Sequence, residues 1–415
     1  MPDPVVAIVG AGQAGFQVAA SLHQEGFAGR VVLIGDEPVP PYQRPPLSKS
    51  YLAGESGVDE LWLRPAEFYA KQQIELVCGD AVAAIDRARR RLLLASGSEI
   101  SWDHLVLATG ARNRMLAVPG AELDGVLALR TLADTDTLRQ RLGEAREVVV
   151  VGAGFIGLEF ASVAIAHGAN VHIIEITDHP MGRVVSAQIS RYFTEAHIGW
   201  GAKVSLRTGV ARILGAGGRV TGVETTDGRH LPADLVLVCI GVVPNAELAR
   251  QAGLAVDNGI IVDEYLGTTD PAIFAIGDCA NFPTPFANGR IRLESVQNAV
   301  DQGRCIAANI AGRPEPYRKV PWFWSDQRDL KLQIVGITVG HDRDIIRGDP
   351  EGGHFSVFCF CGERLIGVES VNQPADHAVA RRLLAGDPAL SPEQASDPDY
   401  DLRAHARRVT SSARV

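Results

Sequence analysis

Gly10, Gly12 and Gly15 stand at the spacing Gly-x-Gly-x-x-Gly, directly after the apolar run 5–9. Gly152, Gly154 and Gly157 repeat that spacing after the apolar run 148–151. Each glycine in such a motif has its own task. The first permits a tight turn, the second lets backbone approach a pyrophosphate, and the third lets a helix pack close to a strand. A helix that begins there aims unpaired N–H groups and its positive dipole end at phosphate. A carboxylate about twenty residues on then accepts from ribose hydroxyls. Asp36 or Glu37 holds that position in the first copy, and Glu175 in the second. Two copies, each with its acid, imply two dinucleotides bound by one chain.

The elements that must position these residues follow from the patterning. Residues 5–9, 30–34, 148–151 and 171–174 read as buried strands, and 16–24 and 158–167 as the helices between them. Residues 105–110 form another buried strand, ending in Ala108-Thr109-Gly110, where small residues admit a ligand. Residues 233–239, followed by Ile240-Gly241, are its counterpart, so the repeat extends beyond the glycines. Residues 273–276 end in Gly277-Asp278, an acid at the carboxyl end of a strand, where open α/β sheets bind ligands. A helix is predicted over 294–309, opening with Ser295-Val296-Gln297-Asn298, and another over 61–73. Five prolines in 38–50 forbid a regular helix through most of that stretch, whose only cations are Arg44 and Lys49. From 330 onward the strands 331–339, 344–347, 355–360 and 364–371 resemble a meander, followed by a helix over 375–385. The tail from 387 is loosely specified.

At 415 residues the chain is long enough for two or three domains. A net charge of −9 excludes general nucleic-acid binding. A strand beginning at Val5 leaves no room for a signal peptide, and no apolar run approaches the ~20 residues of a membrane span. The expectation is a soluble, cytoplasmic protein. The six cysteines contain no Cys-x-x-Cys pair and none stands near a histidine at ligand spacing, so no metal is expected. Cys359 and Cys361, two apart in a strand-like run, share a face and read as a buried pair of structural thiols.

Seven segments together resemble one family across almost the whole chain. They are Gly10–Gly15, Arg44-Pro-Pro-Leu-Ser-Lys49, Ala108-Thr-Gly110, Gly152 to Glu159, Ala275-Ile-Gly-Asp278, Ser295-Val-Gln-Asn298 and Pro321-Trp-Phe-Trp-Ser-Asp-Gln327. The resemblance is to the FAD-dependent, NADH-oxidising ferredoxin reductases of bacterial haem monooxygenases and aromatic-ring dioxygenases, built on the glutathione reductase framework. It implies an α/β fold with two Rossmann-like dinucleotide-binding domains plus a C-terminal α+β interface domain. FAD would occupy 1–112 and 246–324, NADH 113–245, and the C-terminal domain 325–405, with 406–415 a disordered tail.

The resemblance also implies roles. Gly10, Gly12, Ala14, Gly15, Ala108, Thr109 and Gly110 would hold FAD, with Asp36 on the adenosine ribose and Val82 at the adenine. Arg44 and Lys49 would lie near the pyrophosphate and flavin, Arg130 and Asp278 along the FAD chain, Val296 and Gln297 at the isoalloxazine, and Trp324 beside it. Gly152, Gly154, Gly157, Gly241 and Glu175 would hold NADH, and Glu175 would favour it over NADPH because a carboxylate repels a 2′-phosphate. Lys49 would pair with Glu159 beside the flavin, and Phe155 would move aside to admit the nicotinamide. Electrons would pass singly to a 2Fe-2S ferredoxin, for whose docking Arg304 is a candidate, and the chain would be a monomer or weak homodimer. Disulphide reductases of this framework carry a cysteine pair after the first βαβ unit; this chain has no cysteine before Cys78. Rival readings are an NADH–rubredoxin reductase, an NADH:oxygen or quinone oxidoreductase, and an apoptosis-inducing-factor-like flavoprotein.

Overall fold

A computed structural model describes residues 3–386 and 389–412. The chain divides into two compact units. One comprises Met1–Gln43, Val58–Arg112 and Val242–Lys319; the other comprises Arg44–Gly57, Asn113–Gly241 and Val320–Val415.

In the first unit the strands are rich in valine, isoleucine and leucine and are covered on both faces, as parallel strands require. The five-stranded parallel sheet runs in the order Ile273–Ala275, His104–Leu107, Val5–Val9, Arg30–Gly35, Ile74–Cys78. Val5–Val9 sits centrally: the chain adds two strands on one side of it and then crosses to add the others on the opposite side, so the crevice at its carboxyl end is a topological switch point. Helix Gln13–Gln24 crosses from it and packs against helix Val296–Ile310. Gly303 permits that approach: a Cβ there would lie 2.8 Å from the Gln17 side chain.

The second unit repeats the plan. Its parallel sheet runs Lys203–Ser205, Asn170–Ile174, Glu147–Val151, Leu235–Val238, Val126–Ala128. Helix Phe155–Ala166 follows the central strand. The same unit carries a five-stranded antiparallel sheet in the order Trp322–Gln327, Leu330–Gly336, Arg364–Val371, His354–Cys361, Arg343–Asp349. Helix Pro374–Ala385 covers it, burying Val379, Ala380 and Leu383. Arg347 on the edge strand donates to the carbonyls of Pro398 and Tyr400, tying down the segment after the helix.

Several local expectations change. Over 61–73 the helix is only Ala66–Lys71, because Pro65 is its extended N-cap and restricts what precedes it. Helices predicted to begin at 16 and 158 begin at Gln13 and Phe155, immediately after the second glycine of each motif. Within 38–50, Pro45–Ser48 forms a 3-10 turn. Cys359 and Cys361 are not a buried pair: Cys359 is buried and Cys361 exposed. A register shift between Cys359 and Phe360 breaks the alternation on which the shared face depended. Leu402–Ser412 is helical and sets Ala406 in the C-terminal core, while 413–415 of the tail lie outside the described residues. No helix among the described residues is long and apolar enough to cross a membrane.

Candidate functional site

The two glycine turns have nearly the same geometry. Gly10 has φ +110° and Gly152 φ +99°, conformations that favour glycine. A Cβ would lie 2.1 Å from the Ala108 carbonyl oxygen at Gly10 and 2.3 Å from that of Cys239 at Gly152. The residues just after strands His104–Leu107 and Leu235–Val238 therefore press on the turns directly. At Gly15 and Gly157 a Cβ would meet the carbonyl oxygens of Gly10 and Gly152, at 2.0 and 2.2 Å.

Gly12 and Gly154 differ from these four. Their backbones are extended, with φ −81° and −76°, which any residue adopts. A Cβ on either would have no protein atom within 4 Å. Folding does not require glycine there, and the open space fits a group that is not protein. Each is the N-cap of its helix and supplies no side-chain cap, so helical N–H donors remain for a phosphate. The residues thus fit a dinucleotide in both units.

In the first unit, Asp36 follows strand Arg30–Gly35 and is exposed, while Glu37 accepts from the Tyr42 hydroxyl at 2.6 Å. Ala14 is buried on the helix, and a Cβ on Gly277, beside Asp278, would lie 3.1 Å from its methyl group. Gln302, which no motif singles out, accepts from the Gly277 N–H at 2.7 Å and fixes that turn. Thr109 donates from its hydroxyl to the Asn245 carbonyl at 2.5 Å, and the Asn245 amide donates back to the Thr109 carbonyl at 2.9 Å. Gly110 takes φ +66°. Val82 begins a separate antiparallel strand. Val296 and Gln297 open helix Val296–Ile310 behind the Ser295 cap, and Gln297 donates to Asp301 at 2.6 Å. Arg304 is exposed and stands 3.8 Å from Asp301.

The remaining residues belong to the second unit. Arg44 donates to the Arg130 carbonyl at 2.5 Å. Glu175 is held by its own loop: it accepts from the Ala153 N–H at 2.8 Å and from the Thr177 N–H and hydroxyl at 2.9 Å each. Its charge is thereby fixed against the second glycine turn. Gly241, at φ +96°, closes the neighbouring strand end. Phe155 packs on Phe323 with ring centroids 4.5 Å apart, and Trp324 lies 5.5 Å from Trp322.

Lys49 and Glu159 meet. The Lys49 ammonium lies 2.6 Å from Glu159 Oε2, with the carboxylate side chain 4 % exposed. A carboxylate buried this deeply needs charge and donors around it. Here the Ser48 hydroxyl donates to Oε2 at 2.5 Å and the Ser325 hydroxyl to Oε1 at 2.6 Å. Sequence spacing pairs neither serine with Glu159, because each lies more than a hundred residues away. The Cys239 thiol nearby is pushed up to about 12 by desolvation and the Glu159 charge, and so stays protonated.

The antiparallel sheet brings together one further group. Asp344 pairs with Cys359 across adjacent strands, and His341 Nε2 lies 3.0 Å from Asp344. The ligating atoms of the three lie within 4.8 Å of one another, a juxtaposition invisible in sequence spacing. Burial, reinforced by Glu369 and Asp344, pushes the Cys359 thiol up.

Comparison with known proteins agrees with this geometry. Residues 4–303 match the family described as pyridine nucleotide-disulphide oxidoreductase, and residues 322–406 match the reductase C-terminal domain. The chain is 52 % identical to rhodocoxin reductase of Rhodococcus erythropolis over 96 % of its own length and 93 % of the relative's. It superposes with TM-score 0.96 and 52 % identity on the ferredoxin reductase for the CYP199A2 system from Rhodopseudomonas palustris, covering 97 % of this chain and 100 % of that one. Against the reductase in a covalent putidaredoxin reductase–putidaredoxin complex the TM-score is 0.94 at 38 % identity, over 100 % of both chains. The chain belongs to the pyridine nucleotide-disulphide oxidoreductase family and carries that family's reductase C-terminal domain.

Proposed function

We propose that the chain is an NADH-dependent, FAD-containing ferredoxin reductase that feeds single electrons to a 2Fe-2S ferredoxin serving a haem monooxygenase or a ring dioxygenase. The observation that carries this reading is the Lys49–Glu159 pair. Disulphide members of the framework hold paired cysteines in the region after the first βαβ unit; here that region supplies an ammonium fixed by a buried carboxylate. Among the described residues the cysteines are free. FAD bound here would find no disulphide among them to reduce. FAD, when bound, accepts a hydride as an electron pair and releases the electrons one at a time.

The chain's own residues bind and orient. Gly12 and the N-terminus of helix Gln13–Gln24 receive one pyrophosphate, and Gly154 with helix Phe155–Ala166 the other. Asp36 accepts from the ribose of FAD. Glu175, held by Ala153 and Thr177, accepts from the ribose of NADH and repels a 2′-phosphate. Arg44, Arg130 and Asp278 hold the FAD chain, Val296 and Gln297 its ring, and Trp324 lies beside it. Lys49 supplies a fixed positive charge where negative charge develops. Phe155, stacked on Phe323, must turn aside for the nicotinamide. On this reading FAD occupies 1–112 and 246–324, NADH occupies 113–245, and 325–405 is the interface domain. The relatives act with rhodocoxin, putidaredoxin or a CYP199A2 system by name, which supports a ferredoxin as acceptor. Arg304 is a candidate for its docking. A reductase fed by NADH works in the cytoplasm, here as a monomer or weak homodimer.

Stopped-flow reduction by NADH, followed by mixing with a 2Fe-2S ferredoxin from the same source, tests the reading. Fast bleaching of the flavin band and fast ferredoxin reduction are expected. Fast bleaching with oxygen or quinone as the only competent acceptor would overturn the assignment of the acceptor. Slow bleaching with a persistent long-wavelength band would overturn the assignment as a turnover enzyme.

A further inference from the structure

The contacts of Glu159 continue past Ser325. Gln327 Nε2 donates to the Ser325 hydroxyl oxygen at 3.2 Å. Gln327 Oε1 lies 2.8 Å from His197 Nε2. Ser325, Gln327 and His197 are all completely buried, and Glu159 is 3 % exposed. Two elements supply the chain of contacts. Ser325 and Gln327 point to one face of strand Trp322–Gln327, as residues two apart must, and His197 comes from the last turn of helix Ala187–Gly199.

Every donor and acceptor along it is determined. The Ser325 hydroxyl donates to Glu159 Oε1, which spends its single proton. The serine oxygen then accepts from the Gln327 amide. That fixes the amide orientation and turns Oε1 of Gln327 toward His197, which must carry its proton on Nε2. Burial, with Arg328 adding, holds His197 below the usual histidine range, and the hydrogen bond with Gln327 opposes this only in part. The ring is therefore neutral, and its Nδ1 has no hydrogen-bond partner among the described residues. Such a ring has one proton to offer and one direction in which to offer it.

We infer that Ser325, Gln327 and His197 are positioning residues for Lys49: a one-way hydrogen-bond chain from His197 clamps Oε1 of Glu159, so that Oε2 faces the Lys49 ammonium and holds it in place. Ser48 also donates to Oε2. The clamp fixes the place of the cation. Its catalytic consequence rests on the reading of Lys49 as the charge beside the flavin; its existence does not.

The test is competitive acetylation of the purified holoenzyme across pH, with peptide mass spectrometry reporting each lysine. The protein has four other lysines, Lys71, Lys203, Lys319 and Lys331, all exposed, which serve as internal references. An amine held in an ion pair is shielded from the reagent, so a Lys49 released from Glu159 reacts faster than one held there. Ser325→Ala is expected to raise Lys49 reactivity on the order of tenfold, Gln327→Met and His197→Phe by less, with the four references unchanged. Ser325→Thr and His197→Gln, which keep an O–H and an N–H donor, are expected to react as wild type does. Unchanged Lys49 reactivity in Ser325→Ala would overturn the inference. So would equal effects from Ser325→Ala and Ser325→Thr, which would mark a packing defect. Retained flavin absorbance and far-UV circular dichroism confirm that Ser325→Ala is folded. An unaltered flavin-reduction rate in Lys49→Ala would sink the catalytic reading alone and leave the clamp standing.

Discussion

The two glycine turns share a backbone and differ in what hangs from it. In both, the first glycine N–H donates at 2.8 Å to a carbonyl near the end of the adjoining strand, that of Ile34 or Ile174. Both press against a neighbouring strand end, and both leave the second glycine facing open space. Three residues after the first glycine stands Gln13 in one unit and Phe155 in the other. Seven residues after it stand Gln17 and Glu159. Gln17 donates to Ser21 on its own helix, whereas Glu159 holds Lys49. The turns are alike, and the helix faces beside them are not: one is chemically quiet, the other carries an aromatic pair and a buried charge.

The largest effect expected from breaking this comparison comes at the second glycines. Gly12→Val and Gly154→Val add side chains where no protein atom lies within 4 Å, in backbone conformations valine accepts. Both proteins should fold, Gly154→Val with little loss of Tm and Gly12→Val with the Tm of the wild-type apoprotein. Gly12→Val should purify colourless. Gly154→Val should purify yellow yet bind NADH more weakly by a factor on the order of a hundred, about 2.7 kcal/mol. Absorbance at the flavin band and a titration with NADH decide it; a yellow Gly12→Val protein would reverse or abolish the assignment of the two units.

A smaller effect sharpens the difference between the helix faces. Lys49→Ala removes the cation that Glu159 holds and should slow hydride transfer roughly a hundredfold, as loss of one preorganised charge does, while FAD stoichiometry stays at the wild-type value. Single-turnover flavin reduction measures the first quantity and absorbance the second. Loss of FAD together with rate would mean that Lys49 binds rather than activates.

The smallest effect concerns the acids. Glu175→Ala should reduce the preference for NADH over NADPH about tenfold, roughly 1.4 kcal/mol, chiefly by improving use of NADPH. Asp36→Ala should leave that ratio alone. The ratio of kcat/KM for the two nucleotides reports both, and a wild-type enzyme that already uses them equally would remove the ribose role from Glu175.

The glycine turns, their strands and their acids are legible in the sequence because their requirements are local. A tight turn demands glycine at a fixed spacing, and a buried parallel strand demands a run of apolar residues. The Lys49–Glu159 pair is reachable only through resemblance. The hydrogen bonds behind it are not reachable at all: Ser325 lies 166 residues from Glu159 and Gln327 lies 130 from His197, and only tertiary packing joins them. Alternation misleads at Cys359 and Cys361 because a bulge is a one-residue event that a period of two cannot register. The helix over 61–73 is overdrawn because its apolar spacing runs through Pro65, which starts the true helix as its N-cap.

The placement of the thiols bears on how such an enzyme would age. Peroxide attacks thiolates, and attacks them fastest where they are exposed and acidic. Cys239, the cysteine beside the second glycine turn, is held protonated at neutral pH by desolvation and by Glu159. Cys359 is buried and its thiol is pushed up, and the exposed Cys361 lies in the antiparallel sheet, not at either glycine turn. Of these three thiols Cys361 is the exposed one, so peroxide is expected to reach the antiparallel sheet before it reaches the second glycine turn.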